Sequence, residues 1–208
     1  MTHPTSDVAF TPTVKALQAA RGSRAAYAEM EARGGFRTAI DEDLATFVAE
    51  VDTAYLATAN AQGQPYAQHR GGPKGFLRVI DDHTLGFVDF AGNRQFVTTG
   101  NLADNDKAFL FLMDYAHRRR IKLWGRARVV TGDDALTASL MPQGYRARPE
   151  QVVLFEVEAW DVNCPQHIPQ KLDAADVGGA VSHLQARIAE LEAETARLKT
   201  QIASGDPR

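Results

Sequence analysis

A mainly β fold with flanking helices (α+β), built on an antiparallel barrel or sandwich, is predicted by three observations. Seven short runs rich in aromatic and branched side chains follow one another at 55–59, 66–70, 76–80, 85–90, 108–112, 121–130 and 152–159. Many are separated by turn signals such as Gln62-Gly63-Gln64-Pro65 and Asp81-Asp82-His83, too short to house crossover helices. The longer helical patterns lie outside this block, before residue 52 and after residue 180.

From the start of the chain, residues 1–12 are polar with Pro4 and Pro12 and read as a mobile arm. Residues 13–20 and 23–32 read as two short helices, broken at Gly22 and stopped by Gly34-Gly35. Asp41 is placed to cap a third helix over 42–51, in which Leu44, Phe47, Val48 and Val51 recur at the 3, 4, 7 spacing of one buried face. This divides the chain into an N-terminal arm with helices at 1–40, a β domain at 41–170 and an amphipathic helix at 180–203.

The segment around which the β block is organised is 85–112. Its two strand-like runs enclose Ala91-Gly92-Asn93-Arg94-Gln95. Gly92 permits a sharp turn off the strand, and Asn93 can cap a short helix whose free N–H groups would favour an anion. Arg94 and Gln95 in the first turn would add a guanidinium fork and an amide donor, a set suited to a phosphate monoester; a plain surface turn with an ordinary cap explains the same residues. Further on, Ile121, Leu123, Ala127 and Val129 alternate with Arg120, Lys122, Trp124, Arg126 and Arg128, giving a strand with one apolar and one cationic face.

Composition narrows the function classes. The 208 residues are 44% hydrophobic and 24% charged, with 23 basic and 26 acidic side chains, a net charge of -3. That balance argues against general attraction to nucleic acid or an anionic membrane, and the arginine-rich strand has no accompanying aromatic platform. No apolar run approaches the roughly 20 residues of a membrane span, and the polar start MTHPTSD is not a signal peptide, so a cytoplasmic location is expected. The lone Cys164 excludes an intramolecular disulfide and a multi-thiolate metal site, and is read as an inert buried thiol; no metal is expected.

In the tail, Leu184, Ile188, Leu191, Thr195, Leu198 and Ile202 recur at spacings 4, 3, 4, 3, 4, the seam of a short coiled coil. Gly178-Gly179 reads as the break before it.

Four segments taken together are in the order and spacing of one family: Gln68-His69-Arg70-Gly71-Gly72-Pro73-Lys74-Gly75-Phe76, the stretch FVDFAGNRQ at 87–95, Arg119-Arg120-Ile121-Lys122-Leu123-Trp124-Gly125, and Val157-Glu158-Ala159-Trp160. The chain thus resembles the pyridoxamine 5'-phosphate oxidase-like family of FMN-binding split barrels over about residues 44–167. The resemblance implies a six-stranded antiparallel split barrel, assembled as a homodimer with FMN in clefts shared by both subunits. It implies that Arg70 contacts the FMN phosphate and that Arg94 and Gln95 hold it from the loop, with Gly71, Lys74 and Asn93 also among the cofactor-binding positions. Val88 and Asp89 match positions lining the isoalloxazine ring. Arg120 replaces a family glutamine that reaches the cofactor, Trp160 matches a tryptophan near the flavin, and Lys74 falls one residue nearer the preceding arginine than a family lysine that touches substrate.

After that tryptophan the vitamin B6 enzymes continue with an Arg-Leu-His stretch and a further arginine, whereas this chain reads Asp161-Val162-Asn163-Cys164-Pro165-Gln166-His167-Ile168. The substrate-binding tyrosine and arginine of an earlier helix also have no counterpart between Asp133 and Arg148. The implied protein is therefore a divergent FMN-dependent oxidoreductase passing a hydride between an unidentified small organic substrate and the flavin. His69, Asn163, Gln166 and His167 are the substrate-contact candidates, and no catalytic residue is assigned. The alternatives are a non-catalytic flavin-binding or redox-sensing protein and a deazaflavin-dependent reductase on the same fold.

Overall fold

The computed structural model describes residues 3–162 and 164–204. Asn163, one of the substrate candidates, lies outside them. Two compact units are present, Met1–Asp114 with Arg118–Ile168, and Tyr115–His117 with Pro169–Arg208.

In the first unit, every strand-like run forms a strand. They are β1 (Thr53–Ala59), β2 (Pro65–Gly71), β3 (Leu77–Val79), β4 (Thr84–Phe90), β5 (Lys107–Asp114), β6 (Arg119–Val130) and β7 (Pro149–Val162). All pair antiparallel in one sheet of order β2-β1-β5-β6-β7-β4-β3, the split-barrel arrangement. Seven strands rather than six are counted because the three-residue β3 pairs with β4 through Leu77 to Phe87 and Val79 to Leu85.

Alternation places one side of every strand except β2 in the apolar interior. Ala54 and Leu56 of β1, Leu110 and Leu112 of β5, and Ile121 and Leu123 of β6 are buried there with Leu85, Phe87, Val153 and Phe155. The helix α3 (Glu42–Glu50) closes this core with Leu44, Phe47 and Val48, and Asp41 caps it by accepting from the Leu44 N–H at 3.0 Å. A second, smaller cluster joins Val88, Val152 and Leu154 to Leu140 of α5 (Asp134–Leu140), a seven-residue helix with no periodicity to announce it. Several cations of β6, on both sides of the strand, are matched by acids. Arg119 meets Asp114 and Glu50 at 2.7 and 2.8 Å, Lys122 meets Asp161 at 2.8 Å, and Arg126 meets Asp106 and Glu158 at 2.7 and 2.8 Å.

The N-terminal segment is packed rather than mobile. A 3-10 turn at Thr5–Val8 buries Ser6, and the Thr5 hydroxyl donates to the Phe36 carbonyl at 2.6 Å. The helices α1 (Pro12–Ala20) and α2 (Arg24–Ala32) follow it. Lys15 on α1 bridges Asp7 at 2.5 Å and Glu31 of α2 at 3.3 Å, and its hydrogen bond holds the Asp7 carboxyl below the usual carboxylate range. Phe10 sits edge-on to Tyr27 and Phe36, whose ring stacks on Trp124 at 5.1 Å. The polarity of residues 1–12 concealed these anchors, since a hydroxyl reaching a carbonyl 31 positions away leaves no local pattern.

In the second unit, α6 runs unbroken from Ala174 to Ser204, through Gly178 and Gly179. Two glycines cost a helix roughly 1 kcal/mol each relative to alanine, a penalty that 31 residues of otherwise good helix formers absorb. Its start is tied by Gln170, whose side-chain amide donates to the Ala116 carbonyl at 2.8 Å, and by Lys171 over the Tyr115 ring at 4.4 Å. Cys164 is exposed, not buried, because β7 has already ended at Val162.

Candidate functional site

Alternation along β2 points Tyr66, Gln68 and Arg70 to one side, where they line a cavity of about 240 Å³. The end of β4 supplies Asp89 opposite Gln151 of β7, and the pairing slips between Asp89 and Phe90, releasing the chain from the sheet into the loop. That loop does not start a helix at Asn93. Asn93 instead accepts from the Gln95 N–H at 3.2 Å, and both Arg94 and Phe96 take left-handed backbone angles, φ 58° and 53°. These two turns delay the helix α4 until Val97–Asp104, three residues later than the cap pattern predicts. The start of α4, at Val97, Thr98 and Thr99, then forms another wall of the cavity.

Arg70 and Asp89 form an ion pair through Nη1 and Oδ1, with side chains only 11% and 13% exposed. The Gln151 amide donates to the other Asp89 oxygen and to Thr99 Oγ1, both at 2.9 Å, while Thr98 Oγ1 donates to Gln68 Oε1 at 2.9 Å. Each wall is thereby fixed to the next. Among the described residues, Arg70 Nε and Arg120 Nε are buried side-chain donors without an acceptor. Leaving such a group unpaired costs about 1–3 kcal/mol. Arg94, by contrast, is 66% exposed and holds Glu150 at 3.3 Å, so its guanidinium can turn toward a ligand.

The sequence-derived candidates divide by location. Arg70, Asp89, Asn93, Arg94 and Gln95 surround the one cavity. His69, Gly71 and Val88, with Arg70 and Asp89 again, line an adjoining space of about 190 Å³, though the Val88 side chain itself is buried in the second apolar cluster. At Gly71 a Cβ would stand 2.9 Å from the Asp52 carbonyl, so close backbone approach accounts for this glycine. Lys74 lines a separate groove with Leu77 and Val79. Trp160 and Arg120 line none of these three spaces. Trp160 is 1% exposed, donates from its indole to the Ala39 carbonyl at 2.8 Å and lies under Arg37. Gln166 and His167 are exposed beyond β7, with His167 at φ 62°. Tyr66, Gln68, Thr98, Thr99, Glu150 and Gln151 were missed. Only the period-2 spacing of Tyr66 and Gln68 with Arg70 could have signalled any of them.

A sequence model described as pyridoxamine 5'-phosphate oxidase matches residues 40–164, well over half the chain. The protein belongs to the pyridoxamine 5'-phosphate oxidase family. This family region holds the whole cavity and its walls. Solved structures similar to it include HupZ of Group A Streptococcus, with 21% identity over 64% of this chain and 99% of that one and a TM-score of 0.49. An FMN-binding protein from Syntrophomonas wolfei shows 10% identity, covering 70% and 97% of the two chains, with a TM-score of 0.47. HutZ, the heme storage protein from Vibrio cholerae, shows 16% identity over 59% and 94%, with a TM-score of 0.42. No curated protein is similar enough in sequence to match. No helix among the described residues is long and apolar enough to cross a membrane, and none of their His, Cys, Asp and Glu side chains group as a metal site.

Proposed function

We propose that this member of the family binds FMN, with the flavin phosphate in the cavity at the start of α4, and works as an oxidoreductase on a small organic substrate. The observation that carries the reading is the buried, acceptor-less Nε of Arg70 on the wall of a cavity that also faces the N-terminal turn of α4. A phosphate oxygen would satisfy that donor, and the free N–H groups of the helix start favour the same charge. Asp89 orients the Arg70 fork, Gln151 orients Asp89, and Arg94 turns from Glu150 to close on the ligand. When bound, the flavin supplies the hydride and electron chemistry.

The cavity, at about 240 Å³, is smaller than the roughly 300–1,000 Å³ of whole small-molecule sites. It suits the phosphate-bearing arm of the cofactor. This supports the reading that a second copy of the chain completes the cleft over the ring.

Visible absorption of the purified protein tests the ligand class: flavin bands at one cofactor per chain are expected, and a Soret band, a deazaflavin spectrum or a failure to take up added FMN would overturn the assignment. Arg94→Ala should keep the fold, because the side chain is exposed and alanine meets the same backbone angle. It should weaken FMN binding by about 1.5–3 kcal/mol, the worth of a charged hydrogen bond. Equal affinity of variant and parent in a fluorescence titration would remove Arg94 from the site.

Pyridoxamine 5'-phosphate itself is not the expected substrate. In place of the arginines that would meet its phosphate, the chain has Asp161, already paired with Lys122 at 2.8 Å, and the exposed Gln166 and His167. A phosphate without cationic partners binds poorly. Adding it to FMN-loaded protein should release no peroxide above background; turnover-linked peroxide would show that other cations take over the role.

A further inference from the structure

We infer that α6 is one half of a parallel, in-register, two-stranded coiled coil whose other half is α6 of a second copy of this chain. The continuity of the helix through Gly178 and Gly179 lengthens the apolar seam beyond the tail heptads. Val177 and Val181 now precede Leu184, Ile188, Leu191, Thr195, Leu198 and Ile202, and the spacing alternates 4 and 3 throughout. None of these residues is buried within the chain.

The two sets of seam positions differ in chemistry. One, at the a positions of the heptad, holds Val181, Ile188, Thr195 and Ile202, all β-branched. The other, at the d positions, holds Val177, Leu184, Leu191 and Leu198, with leucine in all but the first. β-Branched a and leucine d positions are the combination that packs best in a parallel pair of helices.

Charge gives an independent indication of the occupant. In a parallel pair each residue before an a position faces the residue after the next d position on the other helix. The charged pairs formed this way are Arg187 with Glu192 and Glu194 with Lys199, both attractive and each made twice by symmetry. Within one helix Arg187 also meets Glu190 at 2.8 Å, and Glu194 lies 4.0 Å from Arg197. The occupant is thus a copy of the same helix. This rests on the tail alone and is independent of the cofactor reading.

Site-directed cross-linking of the full chain tests it, in a Cys164→Ser background to remove the exposed native thiol. Parallel register sets residue 198 against its own copy within disulfide reach. Leu198→Cys should therefore give a linked dimer under mild oxidation, and adding Leu191→Glu should abolish that band while flavin content stays unchanged. Two results would overturn the proposal: linkage only when Val181→Cys and Leu198→Cys proteins are mixed, which is the antiparallel arrangement, or no linkage in either preparation.

Discussion

Gly125→Ala should be the most damaging single-atom change in the barrel, lowering stability by about 4 kcal/mol or more, the range reserved for a named packing failure. Gly125 lies where the pairing of β6 with β7 slips by one residue. A Cβ there would stand 1.9 Å from the Glu156 carbonyl oxygen and 3.0 Å from its carbon. Backbone cannot rotate aside as a side chain can. The variant must either pull the two central strands apart or fail to fold, so urea denaturation or soluble yield reads the effect directly. A variant with the parent's denaturation midpoint would mean that the bulge relaxes at little cost.

Arg70→Leu is expected to have the second largest effect, and on two properties at once. Removing the guanidinium leaves the Asp89 carboxylate, 13% exposed, with Gln151 as its remaining hydrogen-bond donor. Breaking a buried ion pair from one side costs about 3–5 kcal/mol, and the partial exposure here points to the lower end of that range. Replacing both partners, as Arg70→Leu with Asp89→Leu, should recover much of the stability, because no uncompensated charge then remains. FMN binding should not recover, since the phosphate has lost its buried donor in both variants. Denaturation curves and FMN titrations on the single and double variants separate the two roles. A double variant that bound FMN as the parent does would place the phosphate elsewhere.

The sheet was legible in the sequence because each strand carries its own pattern. Thr53–Ala59 alternates at every position, and the stripe of Leu44, Phe47 and Val48 sits behind a capping aspartate. The elements that were not legible draw their stability from distant partners. The amino-terminal turn is held by Phe36, α5 by Val152 and Leu154, and the start of α4 is displaced by two left-handed residues that carry no glycine. The site shows the same division. Arg70, Arg94 and Gln95 could be found by the resemblance, but the Arg70–Asp89–Gln151–Thr99 chain joins β2, β4, β7 and α4, and only the folded sheet brings those together. Trp160 illustrates the opposite outcome. Its place in the motif is clear, while its burial against Ala39 and Arg37 depends on a segment that lies just before the family region.

The order of the strands has a consequence for how the chain is made. β7, the last of the described strands to be synthesised, lies between β6 and β4 and is what joins the β2-β1-β5-β6 group to the β4-β3 hairpin. Until Pro149–Val162 leaves the ribosome, β4 and β6 each present an open edge. At about 5–20 residues per second, the interval between completing β4 at Phe90 and reaching β7 lasts several seconds. Nascent chains therefore wait with the hairpin that carries Asp89 unpaired, exposed to edge-to-edge association. Chaperone dependence should thus peak in this window, and a chain stopped short of β7 should emerge as two unconnected pieces of sheet rather than as a smaller barrel.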